Sequence, residues 1–512
     1  MEQAVGEAAQ IARLQGCGQD SQGCRLLREV WRRDNRVQGA EKMNGKVMIG
    51  LETHIQLNSA SKMFCACRNP ATLAFDSDEP EPNSLTCPTC MGMPGSKPLA
   101  NARVVELALK VALALDCKVA GETYFSRKTY FYPDMSKNFQ ITQYEAPIAT
   151  NGSVLVSGRR IAITRVQMEE DPAKLVHTGG VGKGHVLVDY NRAGIPLLEI
   201  VTEPDFEGPA QAREYLQKLE AIFEYLGVYS PATKAVMKTD ANISVGGGAR
   251  VDVKNITGSR DIEKALNHEI VRQKGVVAEG KAVMRETRMW NPDSGTTESL
   301  RGKETEEDYG YIFEPDLARI EVTQKQLADA RKALPELPDE KKARFMKSYG
   351  LNGEIAESIV TELELANLFE QVAKKTSPKV AGSWIAGYLK KTLNWNNMTF
   401  AESGLKTEWV MSLLRMFESG RLTNRNAEMV MRLMVERGLP PEQIARKEGL
   451  EKGDVDIEVI ARKIISENRK AADDYRRGDG KAIHFLVGQC MREARGKADA
   501  NEIKKALLKL IK

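Results

Sequence analysis

The sequence lacks any apolar run long enough to span a membrane. Residues 104–120 come nearest, but four charges interrupt them, at Glu106, Lys110, Asp116 and Lys118, and a spanning helix needs about 18 or more consecutive apolar residues. The first 42 residues also lack an apolar core and mix seven Lys/Arg with six Asp/Glu. That mixture fits neither a secretory signal nor an acid-poor transit peptide. We therefore expect a cytoplasmic protein with no membrane partner.

An excess of charge of one sign is also lacking. Lysine and arginine number 74 against 70 aspartate and glutamate, and the net charge is only +4. Such a small excess does not indicate nucleic-acid binding by itself, so any contact with RNA must come from a local patch. The 512 residues, 42% of them hydrophobic, are typical of a folded chain with about three domains of roughly 100–200 residues each.

Two catalytic signatures are missing as well. The sequence contains no G-x-x-x-x-G-K-[ST] phosphate loop, so the use of ATP does not follow from this motif. It also contains no G-x-S-x-G elbow and therefore no local sign of a glutaminase nucleophile.

The N-terminal half alternates strand and helix patterns. Residues 1–42 match nothing downstream, and Met43 directly precedes the first strand-like run, so this segment is predicted to be a disordered extension or the result of a misassigned start codon. Residues 43–320 combine a helical pattern at 103–116 with strand patterns at 47–57, 153–156, 161–166, 185–190, 196–202, 241–245 and 250–253. These patterns predict an α+β domain with a mixed sheet.

The C-terminal half is helical. Apolar residues recur at helical spacing in 323–333, 339–349, 353–374 and 380–393, which predicts an all-helical domain over 321–440. The breaker at 438–441, Gly-Leu-Pro-Pro, marks the start of a small helical tail domain, 441–512.

Four of the eight cysteines form two close pairs. Cys65 and Cys67 are followed after nineteen residues by Cys87 and Cys90, a spacing typical of a tetrahedral, structural Zn²⁺ site rather than of disulfides. With all four positions filled by sulfur, such a metal has no open position for catalysis. The alternative is four buried, reduced cysteines.

One strand face carries acids and a histidine. Glu52 and His54 are two residues apart in the first strand and therefore leave the same face. Further carboxylates occur in strands at 169–171, Asp189, Glu199 and Glu203, where apolar Leu198 and Ile200 face the other side. A carboxylate-lined cradle would hold a divalent cation against nucleotide phosphates, and the imidazole suggests that Mn²⁺ can replace Mg²⁺. A merely polar, exposed strand face is the alternative.

Cations and aromatic rings follow at residues 127–134. Arg127 or Lys128 could neutralise phosphate charge, while Tyr130 and its aromatic neighbours could stack on a base. A half-buried strand with snorkelling cations is the alternative. In the tail, eight basic residues of 481–512 oppose only three acidic ones, which predicts a patch for RNA or else a solvated helical face. The basic residues are Lys481, Arg492, Arg495, Lys497, Lys504, Lys505, Lys509 and Lys512.

Ten segments, taken together, resemble the B-subunit family of the aspartyl/glutamyl-tRNA amidotransferases. They occur in order from residue 47 to the C-terminus, and the longer ones are highly specific. The segments are 49–57 (IGLETHIQL), 127–134 (RKTYFYPD), 140–144 (QITQY), 168–171 (MEED), 188–194 (VDYNRAG), 196–205 (PLLEIVTEPD), 240–244 (DANIS), 253–256 (VKNI), 287–290 (TRMW) and 485–489 (FLVGQ).

The resemblance implies a cradle domain with an ATP-dependent kinase site, a helical domain and a tail that engages tRNA. It implies metal ligation by His54, Glu170 and Glu199 with Glu52 close by, and zinc ligation by the four clustered cysteines. The implied reaction phosphorylates the side-chain carboxylate of Glu-tRNA(Gln) or Asp-tRNA(Asn) with ATP, and ammonia then displaces phosphate. A glutaminase A subunit would supply the ammonia, and a small C subunit would complete the heterotrimer.

Two departures and two alternatives accompany the resemblance. In 308–316, Gly310 replaces a usual Arg and Ile312-Phe313 replaces a usual Phe-Pro, which leaves the site assignment standing. The archaeal paralogue specific for Glu-tRNA(Gln) is disfavoured, because helical patterns follow residue 316 without room for its inserted domain. A noncatalytic zinc-ribbon RNA-binding protein is the second alternative.

Overall fold

A computed structural model describes residues 46–178, 185–302, 310–452, 456–494, 498 and 500–511. The predicted extension at 1–42 lies outside these residues, as do 308–309 of the departing motif and Arg495, Lys497 and Lys512 of the basic patch. Within the described parts of the chain, no helix combines the length and the apolar character that crossing a membrane requires.

A nine-stranded sheet forms the centre of the N-terminal half. Its spatial order is β14-β13-β12-β11-β1-β10-β7-β6-β2, and all neighbours are antiparallel except β12 and β13. The sheet is therefore mixed, as predicted. Its strands are β1 (Val47–Gln56), β2 (Lys118–Val119), β6 (Ala149–Val156), β7 (Arg159–Glu170), β10 (Pro196–Thr202), β11 (Met237–Val245), β12 (Val251–Thr257), β13 (Glu286–Asn291) and β14 (Thr296–Gly302).

Three helices cover one face of this sheet. They are α1 (Ala102–Ala114), which confirms the predicted helix, and α2 (Pro209–Tyr225) and α3 (Ser259–Ala278), which the sequence patterns did not predict. Alternate strand residues such as Leu51, Ile55 and Leu198 are completely buried on this side, because successive side chains of a strand point to opposite faces. The opposite face is consequently left for the polar members of the same strands.

Three smaller sheets border the main one. They are β4–β5–β15 (Ser126–Thr129, Phe139–Thr142 and Gly310–Phe313), β3–β16 (Glu122–Thr123 and Ile320–Glu321) and the hairpin β8–β9 (Lys174–Thr178 and His185–Asp189). β16 is followed almost at once by a helix at Gln324, so no inserted domain separates the two halves.

The C-terminal half is helical, as predicted. The helices are α4 (Gln324–Lys332), α5 (Pro338–Tyr349), α6 (Gly353–Val360), α7 (Leu363–Val372), α8 (Pro378–Ser383), a π-helical turn (Trp384–Leu389), α9 (Lys390–Trp395), α10 (Thr407–Glu418), α11 (Asn424–Arg437), α12 (Pro441–Lys447), α13 (Ile457–Glu467), α14 (Arg469–Arg476), α15 (Ala482–Glu493) and α16 (Ala500–Ile511).

The prediction of one helix over 353–374 is wrong, because the chain turns between α6 and α7. Glu362 adopts an extended conformation, with φ −126° and ψ 116°. The Lys390 ammonium stabilises the break, since it donates to the Ser358 carbonyl and the Thr361 hydroxyl and pairs with the Glu362 carboxylate. Free carbonyl groups at a helix end need such partners.

Buried apolar residues form three separate clusters. One lies between the main sheet and its helices, the second extends from Phe345 to Ala445 and also contains Tyr225, and the third joins α13 to α16. Gly438 ends α11 in the left-handed conformation, but α12 still packs into the second cluster. The change of core therefore falls between Ala445 and Ala461, somewhat later than the boundary predicted at 440.

Candidate functional site

The uncovered face of the sheet opens into a cavity of about 720 Å³. Strands β1, β10, β7 and β11 contribute its floor, and residues 128–134 contribute a wall. The lining is strongly charged: it contains Glu52, His54, Glu169, Asp171, Glu199 and Asp240 together with Lys128, Arg192, Lys238 and Lys254. The cavity thus collects the polar side of strands whose other side forms the apolar core.

His54, Glu169 and Glu199 meet at the centre of the floor. The register pairs His54 of β1 with Glu199 of β10, and Glu199 with Gln167 of β7, two residues before Glu169. The His54 Nε2 atom lies 3.4 Å from Glu169 Oε1 and 3.9 Å from Glu199 Oε2. One ligand atom from each residue lies within 4.8 Å of the others. Strand pairing therefore builds a three-ligand group from residues far apart in sequence.

The electrostatics of this group favour a bound cation. Burial and the neighbouring Glu199 carboxylate raise the pKa of Glu169. Burial alone would lower the pKa of His54, but the carboxylates of Glu199 and Glu169 outweigh it and raise that pKa. Two buried carboxylates side by side are costly without a counter-charge, and a cation between them removes the cost.

Neighbouring side chains hold the acids in place. Gln167 donates its amide to Glu199 Oε2 at 2.5 Å, and the Thr142 hydroxyl donates to Glu169 at 3.2 Å. Beside them, Glu52 accepts a hydrogen bond from Asn242, and it faces Asp240 across the β1–β11 pair. Glu52 therefore lines the same cavity as the three-ligand group, as predicted.

Glu170 does not join the group. Its position in β7 places it on the face opposite Glu169, where Lys137 Nζ lies 2.6 Å from its Oε2 and the Ile141 N–H donates to its Oε1. The expectation that Glu170 lies with His54 and Glu199 is therefore corrected to Glu169. A period of two along the strand explains the difference: Met168 is fully buried, so Glu169 must face the cavity.

The predicted cationic and aromatic residues also divide between two sides, one facing the cavity and one facing away from it. Lys128 and Tyr130 line the cavity, and the Lys128 ammonium lies 5.9 Å from the centre of the Tyr130 ring. Arg127 is not among the cavity residues, because it points to the other side of β4. There its guanidinium makes two hydrogen bonds of 2.8 Å with the buried Glu314 carboxylate.

The four clustered cysteines meet beside the site, in a segment that we name the cysteine knuckle, residues 62–90. The Sγ atoms of Cys65, Cys67, Cys87 and Cys90 all lie within 4.8 Å of one another. A hydrogen bond from Cys65 and the nearby Lys62 ammonium lower the pKa of the Cys90 thiol against the effect of burial. Such a thiol group fits tetrahedral coordination.

Several cavity residues were not predicted from the sequence. Asp240 and Lys254 form an ion pair of 3.0 Å at one side, and at another Arg192 lies 3.6 Å from Asp171, which belongs to the predicted acidic stretch 169–171. Alternation along β11 gives a usable signal for Asp240, because Thr239 and Ala241 are buried. No comparable local signal exists for Arg192, which a loop brings into the cavity.

The basic tail patch is only partly described. α16 buries Ile503, Leu507 and Ile511 on one side, which leaves Lys504 and Lys505 away from the core. Lys509 pairs with Glu458 of α13 at 3.3 Å. Part of the predicted positive charge is therefore offset within the tail itself.

Comparison with known proteins gives two matches to family models. Residues 47–328 match the model described as the GatB/GatE catalytic domain, and residues 367–511 match the model described as the GatB domain. The first match contains the cavity and the cysteine knuckle, and the second contains the tail.

Curated proteins are similar over nearly their whole length. The B subunit of the aspartyl/glutamyl-tRNA(Asn/Gln) amidotransferase of Methanosarcina barkeri is 42% identical over 493 residues, covering 91% of this chain and 98% of the relative. The proteins of the same name from Methanococcoides burtonii and Carboxydothermus hydrogenoformans are 42% identical over 474 residues and 40% over 477 residues, each with 98% of the relative covered.

Proposed function

This chain belongs to the family of aspartyl/glutamyl-tRNA amidotransferase B subunits, and we propose that it uses ATP to activate and then amidate the side-chain carboxylate of a misacylated tRNA. The substrates would be Glu-tRNA(Gln), Asp-tRNA(Asn) or both. The observation that carries the proposal is the group of His54, Glu169 and Glu199 on the floor of a cavity that also holds lysines. Phosphoryl transfer needs such an arrangement of metal ligands and cations.

His54, Glu169 and Glu199 would hold one Mg²⁺ or Mn²⁺ ion. Two carboxylates suit a hard divalent cation, and the imidazole accommodates Mn²⁺. Burial and the neighbouring Glu199 carboxylate raise the pKa of Glu169, as expected for two buried acids without a counter-charge. When bound, the ion would neutralise the phosphate oxygens of ATP during transfer. Gln167, through its bond to Glu199, would keep that carboxylate in its ligating position.

The remaining cavity residues would position the two substrates. Lys128 would neutralise phosphate charge, and Tyr130 with its aromatic neighbours would stack on a base. The side-chain carboxylate of the aminoacyl group would take the γ-phosphoryl group and release ADP. Ammonia would then attack the carbonyl carbon, and phosphate would leave with the former carboxylate oxygen, which yields the amide. Glu52, which lines the same cavity, would take the proton that ammonia loses.

Ammonia would come from a partner. The chain contains no G-x-S-x-G elbow, and the names of its relatives describe a B subunit. We therefore place it in a cytoplasmic heterotrimer with an amidase-type A subunit that hydrolyses glutamine and a small C subunit. The tail domain, with its patch around Lys504 and Lys505, would contact the tRNA backbone.

The cysteine knuckle would bind a structural Zn²⁺. Four sulfur ligands fill a tetrahedral shell and leave no position for water or substrate, so this ion would take no part in the reaction. Cys65, Cys67, Cys87 and Cys90 would be its ligands.

A comparison of two glutamates tests the metal site. With the A and C partners, ATP, Mg²⁺ and Glu-tRNA(Gln), Glu169→Gln should lower phosphate release and glutaminyl-tRNA formation by more than about 100-fold, because a ligand is lost. Glu203→Gln, an exposed carboxylate just beyond β10 that accepts from Thr164, is the matched control and should retain activity. Full activity in Glu169→Gln would refute the assignment.

A further inference from the structure

The loop of residues 190–195, which we name the pocket loop, lies between the cysteine knuckle and the cavity. It follows β9 and precedes β10, and its Arg192 side chain lines the cavity. Its remaining contacts are made on both sides, with the knuckle on one and with residues 171–173 on the other. The loop is therefore the physical connection between the two.

Lys62 connects the knuckle to the pocket loop through two hydrogen bonds. This lysine is completely buried, and its ammonium donates to the carbonyls of Leu85 at 2.8 Å and Tyr190 at 3.3 Å. A buried polar group is stable only when it has hydrogen-bond partners, and the Lys62 ammonium has one in the knuckle and one in the loop. The same lysine thus connects the knuckle to the start of the loop.

Asn191 makes the second connection. Its side-chain oxygen accepts from the Leu85 N–H, and its amide donates to the Glu81 carbonyl, both at 2.8 Å. Asn191 is 5% exposed, so water cannot easily replace these bonds. A third connection is purely backbone, from the Met63 N–H to the Gly194 carbonyl at 2.8 Å.

The backbone conformation of Gly194 sets the path of the loop beside the knuckle. Gly194 has φ +84°, a conformation that favours glycine. A Cβ atom there would lie 3.5 Å from the Lys62 side chain and 3.8 Å from Cys90 Cβ, at ordinary contact distance, so the position borders the knuckle.

On the cavity side the same loop sets the position of Arg192. Gly194 and Ile195 exchange backbone hydrogen bonds with Asp171, both of 2.9 Å. The Arg192 guanidinium donates from Nε to the Pro172 carbonyl at 2.8 Å and from Nη2 to the Ala173 carbonyl. Its Nε also lies 3.6 Å from Asp171 Oδ1, and the side chain, which lines the cavity, remains 29% exposed. One edge of the guanidinium is therefore held by backbone carbonyls, while part of the side chain stays accessible from the cavity.

We propose that the cysteine knuckle, through Lys62 and Asn191, positions Arg192 to bind a phosphate group of the substrates. The inference rests on the proposed function for the identity of the substrates. Arg192 is the binding residue, whereas Lys62 and Asn191 are positioning residues that act through it. The phosphate belongs either to ATP or to the 3′ end of the tRNA. Measured KM values distinguish the two, because only the substrate that carries this phosphate should show a raised KM.

Kinetics of the complete complex test this coupling. Arg192→Ala and Asn191→Ala should each raise the KM of one substrate, ATP or Glu-tRNA, by about tenfold, because a charge-assisted hydrogen bond is lost or misplaced. The double variant should equal Arg192→Ala alone, since Asn191 acts through Arg192. Ser77→Ala, which removes a hydroxyl that donates to the Ala74 carbonyl in the same segment, should leave both KM values unchanged. Additive effects of the two substitutions would overturn the proposal.

Hydrogen exchange provides a readout that is independent of turnover. In Asn191→Ala the amides of Gly194 and Ile195 should exchange at least about tenfold faster, while Ser77→Ala should leave them protected. Asn83→Ala, whose side chain bonds Val188 and Tyr190 from an exposed position, serves if Asn191→Ala does not fold. Unchanged exchange in the folded variant would refute the mechanical link. Faster exchange in a protein without kinase activity would keep the link and refute only the proposed function.

Discussion

Glu169 and Glu170 are neighbours in the sequence, but they point to opposite faces of β7 and have different surroundings. Glu169 faces the cavity with its charge only partly balanced, whereas Glu170 is 5% exposed and lies against Lys137 and a backbone N–H. The first arrangement invites a cation from solution. The second arrangement already contains a cation, the Lys137 ammonium. The Lys137–Glu170 pair connects β7 with the segment before β5.

The Lys137–Glu170 pair yields a prediction about stability. Lys137→Met should destabilise the protein by about 3–5 kcal/mol, because it leaves a buried carboxylate without its partner. The double variant Lys137→Met/Glu170→Gln should recover much of that loss, since no unpaired charge remains. Urea unfolding followed by circular dichroism measures both. Arg103→Met provides the control, because it breaks an exposed pair with Glu106 that is worth less than about 1 kcal/mol. Equal losses in Lys137→Met and Arg103→Met would contradict the prediction.

At the scale of single residues, the sequence predicted only those site residues whose direction follows from the two-residue period of a strand. Glu52, His54 and Glu199 were assigned correctly to one cavity face, since the positions two apart in β1 and the apolar neighbours of Glu199 define it. Arg127 was placed with Lys128, although the period of two puts them on opposite faces. Arg192 could not be assigned, because its position depends on a loop held by residues about a hundred positions away.

At the scale of elements, the knuckle shows how four thiols are brought together without regular structure. Its only element is a single 3₁₀ turn at Pro70–Thr72, and Asn69, fully buried, holds the segment by donating to the carbonyls of Leu57 and Ser59. A segment with so little regular structure needs another source of order, and the proposed Zn²⁺ ion would provide it.

Removal of metal should therefore have a local effect. Purified protein should contain about one Zn²⁺ per chain, and Cys87→Ser should lose most of it. Limited proteolysis should then cut within 65–90 while the helical half stays intact, because that half has its own core. Cys117→Ser, at a buried cysteine away from the knuckle, should keep its zinc. Wild-type protein without zinc would refute the site.

The elements themselves were predictable to different degrees. Six strands of the main sheet (β1, β6, β7, β10, β11 and β12) and the helical segments between 323 and 393 follow from alternation and from 3.6-residue spacing. The break between α6 and α7 does not, because the Lys390 side chain that stabilises it comes nearly thirty residues later. The two-residue strands β2 and β3 are equally invisible, since they are defined only by their partners.

At the scale of the whole molecule, the two larger cores meet through α2. Tyr225, at the end of this helix, is buried in the helical cluster rather than in the sheet cluster. Lys218 of α2 also pairs with Asp339 of α5 at 2.6 Å. Beside these contacts lie three carboxyl groups, Glu220, Glu224 and Glu362, and burial followed by their mutual repulsion raises the pKa of Glu220 and raises that of Glu224 to about 8.

This junction should make stability depend on pH. In the unfolded chain Glu224 titrates near its ordinary pKa of 4.5, but in the folded protein it stays protonated up to about pH 8. Its contribution to stability is therefore complete below about pH 4.5 and is lost as the pH rises towards 8. Glu224→Gln, which imitates the protonated form, should change the thermal midpoint little at pH 5. At pH 9 it should stabilise the junction by on the order of 1 kcal/mol.

Thermal unfolding of both proteins at several pH values measures the difference. Glu106→Gln, on the exposed side of α1, controls for the loss of one carboxylate. Because Glu224 lies against the backbone N–H of Leu363 at the start of α7, the gain should appear in the transition that separates the two cores. A gain from Glu224→Gln that is equal at pH 5 and pH 9 would show that the carboxyl does not titrate at the junction, which would contradict the prediction.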